Sequence, residues 1–191
     1  MKKRIMVDMD DVITTGGFLH LINEYLKTNY TEDDFESFYM QDIVPNKDEF
    51  FKWFKTHNMY DYCNLTPNVY EVLEKLSKNY EIFIGTSYII RDIIKDTAFL
   101  LPQKYEFLIN IFPFINPNNI IFLGNKSVLN CDIKIDDRID NLDGAKTKIL
   151  FTAWHNKNIS KDELNNKGIK RANNWKEIEN FLLKEGINTN E

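Results

Sequence analysis

Residues 3–12, Lys-Arg-Ile-Met-Val-Asp-Met-Asp-Asp-Val, decide the fold. The run 3–8 is short and apolar, β-branched at Ile5 and Val7, and stops abruptly in acid. That is the pattern of a buried strand that delivers its last residue to one end of a sheet. Further runs behave alike: 80–85 stops at Thr86-Ser87, 120–123 is followed by Lys126, and 132–135 stops at Asp136-Asp137. Residues 148–151 read as a fifth strand.

Helical patterns lie between these runs. Phe18, Leu19, Ile22 and Leu26 keep helical spacing over 18–26, Thr31 and the acids after it resemble a helix start, and 48–55 forms a helix with an aromatic face. Thr66-Pro67 reads as the cap and first residue of a helix carrying Val69, Val72, Leu73 and Leu76. A helix over 89–101 is limited by Pro102, and Asn174 opens a last one carrying Ile178, Phe181 and Leu182. Strands alternating with helices predict an α/β fold, a Rossmann-like parallel sheet flanked by helices. Residues 15–65 hold helices and no convincing strand, so they read as a small helical cap inserted after the first strand. The core domain is then 1–14 and 66–191.

Composition narrows the function. A chain of 191 residues, 43% hydrophobic and 14% aromatic, suits one domain with a sizeable core. The net charge of −5 disfavours a nucleic acid polymer as partner. No apolar run approaches the ~18 residues of a membrane span. The basic start Met1–Arg4 meets Asp8, Asp10 and Asp11 before any apolar stretch, so no signal peptide is expected and the cytoplasm is the expected location. Cys63 and Cys131 form no CxxC, and His20, His57 and His155 show no metal-binding spacing.

The chemistry gathers at the strand ends, where open α/β sheets bind ligands. Acids crowded on one rim repel one another and call for a cation, and hard oxygen donors beside a phosphate suit Mg²⁺. Thr86, Ser87 and Lys126 supply hydroxyls and a point charge for that phosphate. With the phosphate neutralised, Asp8 can attack it, and Asp10, two residues on, can protonate the leaving oxygen and then activate water. A lone Asp-x-Asp is a weak signal. An EF-hand reading fails, because Ile13 stands where the loop needs Gly and Leu19 where it needs Glu. The four motifs in this order on four strand ends are the specific signal.

These residues resemble the haloacid dehalogenase superfamily, and in detail its 5′(3′)-deoxyribonucleotidases. The likeness runs through Val7–Asp10, Ile82–Ser87, Lys104-Tyr105, Asn125-Lys126, Ile135–Arg138, Leu150–Asn156 and Asn174–Ile178, nearly the whole chain. It implies an aspartyl-phosphate on Asp8 and an acid/base at Asp10. Mg²⁺ would sit on the Asp8 carboxylate, the Asp10 main-chain carbonyl and Asp137, with Asp136 in support. Phosphate would be held by Thr86, Ser87 and Lys126, with a contact from Lys104. The substrate would be a small phosphomonoester, a deoxynucleoside monophosphate, and the family suggests a homodimer. The chain departs from the family in carrying Asp11 where Gly is common, and in a shorter, less aromatic stretch at 13–16 that lacks a base-stacking ring. Phe50, Phe51, Trp53 and Phe54 of the insert read first as packing the cap onto the sheet domain, with Trp53 or Phe54 the candidate for stacking a base. Trp154 and His155 read as a packed aromatic and a satisfied histidine. A phosphatase for a sugar phosphate, and a silent binding protein on the same fold, are the competing functions.

Overall fold

β1 (Lys3–Val7) is the middle of the molecule because its apolar residues are covered on both faces and paired on both sides. The computed structural model describes residues 2–184. β1 runs parallel to β4 (Tyr80–Thr86) on one side and β6 (Cys131–Asp136) on the other, with Val7 level with Ile84 and with Ile135. β5 (Ile120–Phe122) extends the sheet beyond β4, while β7 (Ala145–Phe151) and β8 (Ile169–Ala172) extend it beyond β6. The order of the six parallel strands is β5-β4-β1-β6-β7-β8. The chain moves outward on one side of β1 and then returns to build the other, so the crevice for a ligand opens at the carboxyl ends of β1, β4 and β6. The expected five strands are all present. β8 is an addition: a four-residue edge strand with only Ile169 and Ala172 buried, too brief a pattern to stand out.

The helical elements differ from expectation at three places. α3 (Val69–Asn79) begins after Asn68 in a left-handed conformation (φ 64°), so Thr66-Pro67 forms the turn before the helix rather than its cap. Residues 91–99 wind as 3₁₀ turns, and the α-helix proper is α4 (Leu100–Ile111). Pro102 lies in the first turn of α4, where a missing N–H breaks no helical bond. The Thr31 start is a single 3₁₀ turn, Glu32–Asp34, closed by a reciprocal capping box.

Between β1 and α3 lie α1 (Gly17–Leu26), α2 (Lys47–Phe54) and short 3₁₀ turns. Asn46 caps α2 by accepting from the Glu49 N–H at 3.2 Å. A two-residue ladder, β2 (Thr14–Thr15) with β3 (Asn64–Leu65), draws the two ends of this excursion together, a pairing the sequence pattern did not reveal. Its helices pack through rings: Phe18 lies edge-on to Phe50 at 6.0 Å and to Phe54 at 5.7 Å, and Tyr25 contacts both Phe50 and Trp53 at 5.2 Å. Phe50 and Phe54 are fully buried in the same apolar core as Ile5 and Val7. After β7 come α5 (Lys161–Asn166), β8 and α6 (Trp175–Glu179). Asn174 caps α6 as expected, and the buried Trp175 indole donates to the Val12 carbonyl at 3.0 Å, bracing the loop after β1. Among the described residues no helix is long and apolar enough to cross a membrane.

Candidate active site

The register of the central strands brings the predicted residues together. Asp8 follows β1 directly, and its N–H still donates to the Ile135 carbonyl at 2.9 Å, so the carboxylate leaves the sheet at its last rung. Thr86 closes β4 and Asp136 closes β6 on either side of it. The chain then turns tightly, with Ile13 and Thr14 both donating to the Met9 carbonyl and Asp11 held at φ 58°. A non-glycine residue in the left-handed region is uncommon, though aspartate tolerates it better than most.

Asp8 Oδ1 accepts from Met9 N–H at 2.7 Å and meets Lys126 Nζ at 2.6 Å. Lys126 is buried and also meets Asp136 Oδ2 at 2.8 Å, bridging the two carboxylates. Asn125 shapes its 3₁₀ turn by accepting from the Ser127 N–H at 3.1 Å. Asp136 is further fixed at Oδ1 by the Arg138 N–H and by Asn141 Nδ2, each at 2.9 Å. Asp137, also buried, meets His155 Nε2 at 2.6 Å through Oδ2. Asp8, Asp136 and Asp137 each offer an oxygen within 4.8 Å of the others.

The second acid of the motif is held differently. Asp10 Oδ2 meets Lys104 Nζ at 2.5 Å, and Oδ1 accepts from the Tyr60 hydroxyl at 2.8 Å. Lys104 is buried on α4 and also donates to Thr86 Oγ1 at 2.8 Å. Ser87 turns its hydroxyl to accept from the Ile89 N–H at 3.2 Å.

Burial sets the charge balance. It pushes the Asp8 carboxyl up to about 6, with Lys126 opposing and Asp136 and Asp10 adding repulsion. Asp11 rises to about 7 from burial, then from Asp10, Glu32 and Asp8. Asp137 is held well above the carboxylate range by burial, then by Asp8, Asp136 and Asp11. Burial alone would lower Lys126, but Asp8 and Asp136 beside it reverse the effect and keep it protonated. Burial and nearby Arg138 drop His155 to about 4. Burial thus disfavours charge on both partners of the short Asp137–His155 contact. Without a bound cation, this end of the sheet carries more acid than it can ionise.

A cavity of about 280 Å³ opens here, lined by Asp8, Asp10, Ser87, Lys104, Lys126 and Asp137. Thr86 and Asp136 stand behind that lining, holding Lys104 and Lys126. Five rings, Phe18, Phe38, Tyr39, Tyr88 and Trp154, stand in the rest of the wall among aliphatic and polar residues such as Met40, Ile89, Gln41 and Arg91. Trp53 and Phe54 are not part of it. Trp53 stacks on His57 at 3.8 Å, and Phe54 is buried against Phe18 and Phe99, so both pack the insert. Trp154 and His155 belong to the site instead, since they follow β7 at the same end of the sheet. That position was itself a usable signal. Tyr60 carried none, being fifty residues from its partner Asp10.

The chain is similar to known proteins over nearly its whole length. A 5′(3′)-deoxyribonucleotidase of Bacillus subtilis (strain 168) is 31% identical over 186 residues, 96% of this chain and 100% of its own. Two solved structures share the fold: a predicted phosphatase from Clostridium acetobutylicum (TM-score 0.56, 14% identity, 94% and 97% of the chains), and a haloacid dehalogenase-like hydrolase from Streptococcus pneumoniae (TM-score 0.52, 16% identity, 93% and 96%). Residues 2–186 match the family described as "5' nucleotidase, deoxy (Pyrimidine), cytosolic type C protein", and the chain belongs to that family.

Proposed function

We propose that the chain removes phosphate from deoxynucleoside monophosphates, with Asp8 as the nucleophile and Mg²⁺ as the metal. The observation that carries this reading is the buried Asp8, paired with Lys126 at 2.6 Å beside two further acids. The donor set fits a hard divalent cation: it is all oxygen, and one lysine compensates only one of three carboxylates. Lys126, Arg138 and Asn141 already occupy both oxygens of Asp136. Asp8, Asp137 and the Asp10 carbonyl would therefore hold the ion, with Asp136 in support. When bound, the cation would screen the phosphate charge from Asp8.

Met9 N–H and Lys126 hold the Asp8 carboxylate for attack on phosphorus as the bond from phosphorus to the ester oxygen breaks. Asp10 gives its proton to that oxygen. Lys104, which reaches both Asp10 and Thr86, shifts its charge toward a phosphate arriving beside Thr86 and Ser87 and frees Asp10 for this role. Water then attacks the aspartyl-phosphate, Asp10 takes its proton, and Asp8 leaves as carboxylate. Residues 15–65 act as a cap over the core of 1–14 and 66–191, excluding bulk water from the cavity. The aromatic wall favours a substrate with a planar base, since ring–base stacking contributes about 1–3 kcal/mol.

The test is phosphate release from dUMP, dTMP, dGMP, UMP, 3′-dTMP and a sugar phosphate, with and without Mg²⁺. Asp8→Asn should lose about 10³-fold or more of the activity. Release from the sugar phosphate alone would replace the substrate class, and wild-type turnover by Asp8→Asn would remove the mechanism.

A further inference from the structure

We propose that His155 is a positioning residue that holds Asp137 for the metal, an inference that rests on Asp137 being a metal ligand. The two adjacent acids after Ile135 are supported in different ways. Asp136 is fixed from its own neighbourhood, by the Arg138 N–H, Asn141 and Lys126. Among the described residues, the one nitrogen that meets the Asp137 carboxyl is His155 Nε2, at 2.6 Å.

The next residue completes the grip. Asn156, buried, donates through Nδ2 to the Asp137 carbonyl at 2.7 Å and to the Phe151 carbonyl at 2.8 Å. Its own carbonyl and side-chain oxygen accept from Arg171 of β8 at 3.2 and 3.1 Å. His155-Asn156 therefore clamps Asp137 at side chain and main chain together, on a loop anchored to two strands. The Phe38 ring stands edge-on to the imidazole at 5.0 Å and covers it from the insert. A carboxylate ligand so held loses no orientational freedom when it takes a cation, and losing such support typically weakens metal affinity about 10–100-fold. Asp11 also comes within reach of His155 and Asp137, so direct ligation of a second ion by His155 is the rival arrangement the experiment must separate.

The experiment measures Mn²⁺ affinity and stoichiometry on the full chain by electron paramagnetic resonance, with near-ultraviolet circular dichroism to confirm folding. His155→Phe, or His155→Leu where Phe disturbs packing, should raise the Kd about 10–100-fold with one Mn²⁺ per chain. His155→Gln, which keeps an N–H near the Nε2 position, should stay within about threefold of wild type. If His155→Phe and His155→Leu bind Mn²⁺ like wild type while Asp137→Asn does not, the positioning role is wrong and the metal reading stands. If Asp137→Asn itself binds like wild type, the metal reading falls and takes the proposal with it. A second Mn²⁺ that disappears with His155 would make it a ligand and overturn the proposal as well.

Discussion

The acid end of the sheet and the aromatic insert are both well buried, but different forces hold them. In the insert, Phe18, Tyr25, Phe50, Trp53 and Phe54 meet ring to ring at 5.2–6.3 Å, and the helices stay together by removing apolar surface from water. At the strand ends the contacts are directed ones of 2.5–2.9 Å between charged or polar groups. Apolar burial stabilises wherever shapes fit. Buried carboxylates that lack enough counter-charge destabilise, and persist where binding a ligand repays them. The insert thus rests on apolar burial and the strand ends on directed polar contacts. Tyr60 on Asp10 and Phe38 on His155 are among the points where the two regions touch.

That division can be broken by experiment. Phe54→Ala should cost about 3–5 kcal/mol of stability through the cavity it leaves, while the folded fraction keeps its metal affinity. Urea unfolding alongside Mn²⁺ titration checks both; a loss of affinity without a loss of stability would erase the distinction.

A smaller effect, of opposite logic, concerns pH. The ordinary aspartate value is 3.8, against about 6 for folded Asp8 and about 7 for Asp11, with Asp137 also raised. Between these values the unfolded chain releases protons that the folded chain retains, so these groups make stability fall as pH rises. His155, lowered to about 4, works in the other direction up to its ordinary 6.5, but it is one group against three. Asp34, Asp42 and Asp92 are held below the ordinary value and finish titrating at lower pH. The metal-free protein should therefore lose a few kcal/mol between about pH 5 and pH 7.5, and Mg²⁺ should restore more of it at the higher pH. Urea midpoints that rise with pH in the absence of metal would contradict the charge balance described for the site.

The smallest effect tests the contact between regions. Tyr60→Phe removes one hydrogen bond to Asp10, so stability should change by about 1 kcal/mol. Activity should fall more than the melting temperature predicts, because the lost donor acts on Asp10, the proposed acid/base. An activity change no larger than that of the conservative core change Leu21→Met would confine Tyr60 to packing.

Much of this was legible along the chain. Val7-Asp8-Met9-Asp10 marked a strand end by itself, since an apolar β-branched run that stops in acid has few other uses. Four such ends in order implied a parallel sheet, and helical spacing without a strand pattern marked the stretch between β1 and α3. Local signals failed where geometry is not local. The Thr14–Thr15 ladder with Asn64–Leu65 is too short to carry a periodicity. The ring cluster of α2 read first as packing, with base stacking left open at Trp53 or Phe54, and the structure packs both rings within the protein. What the sequence by itself determined is the set of strands and the residues at their ends, because side-chain period and abrupt polarity are written in neighbouring positions. Only the tertiary structure decided that Tyr60 and Lys104 grip Asp10 and that His155-Asn156 grips Asp137. Those contacts join residues 18 to 94 positions apart, and their formation depends on how whole elements pack.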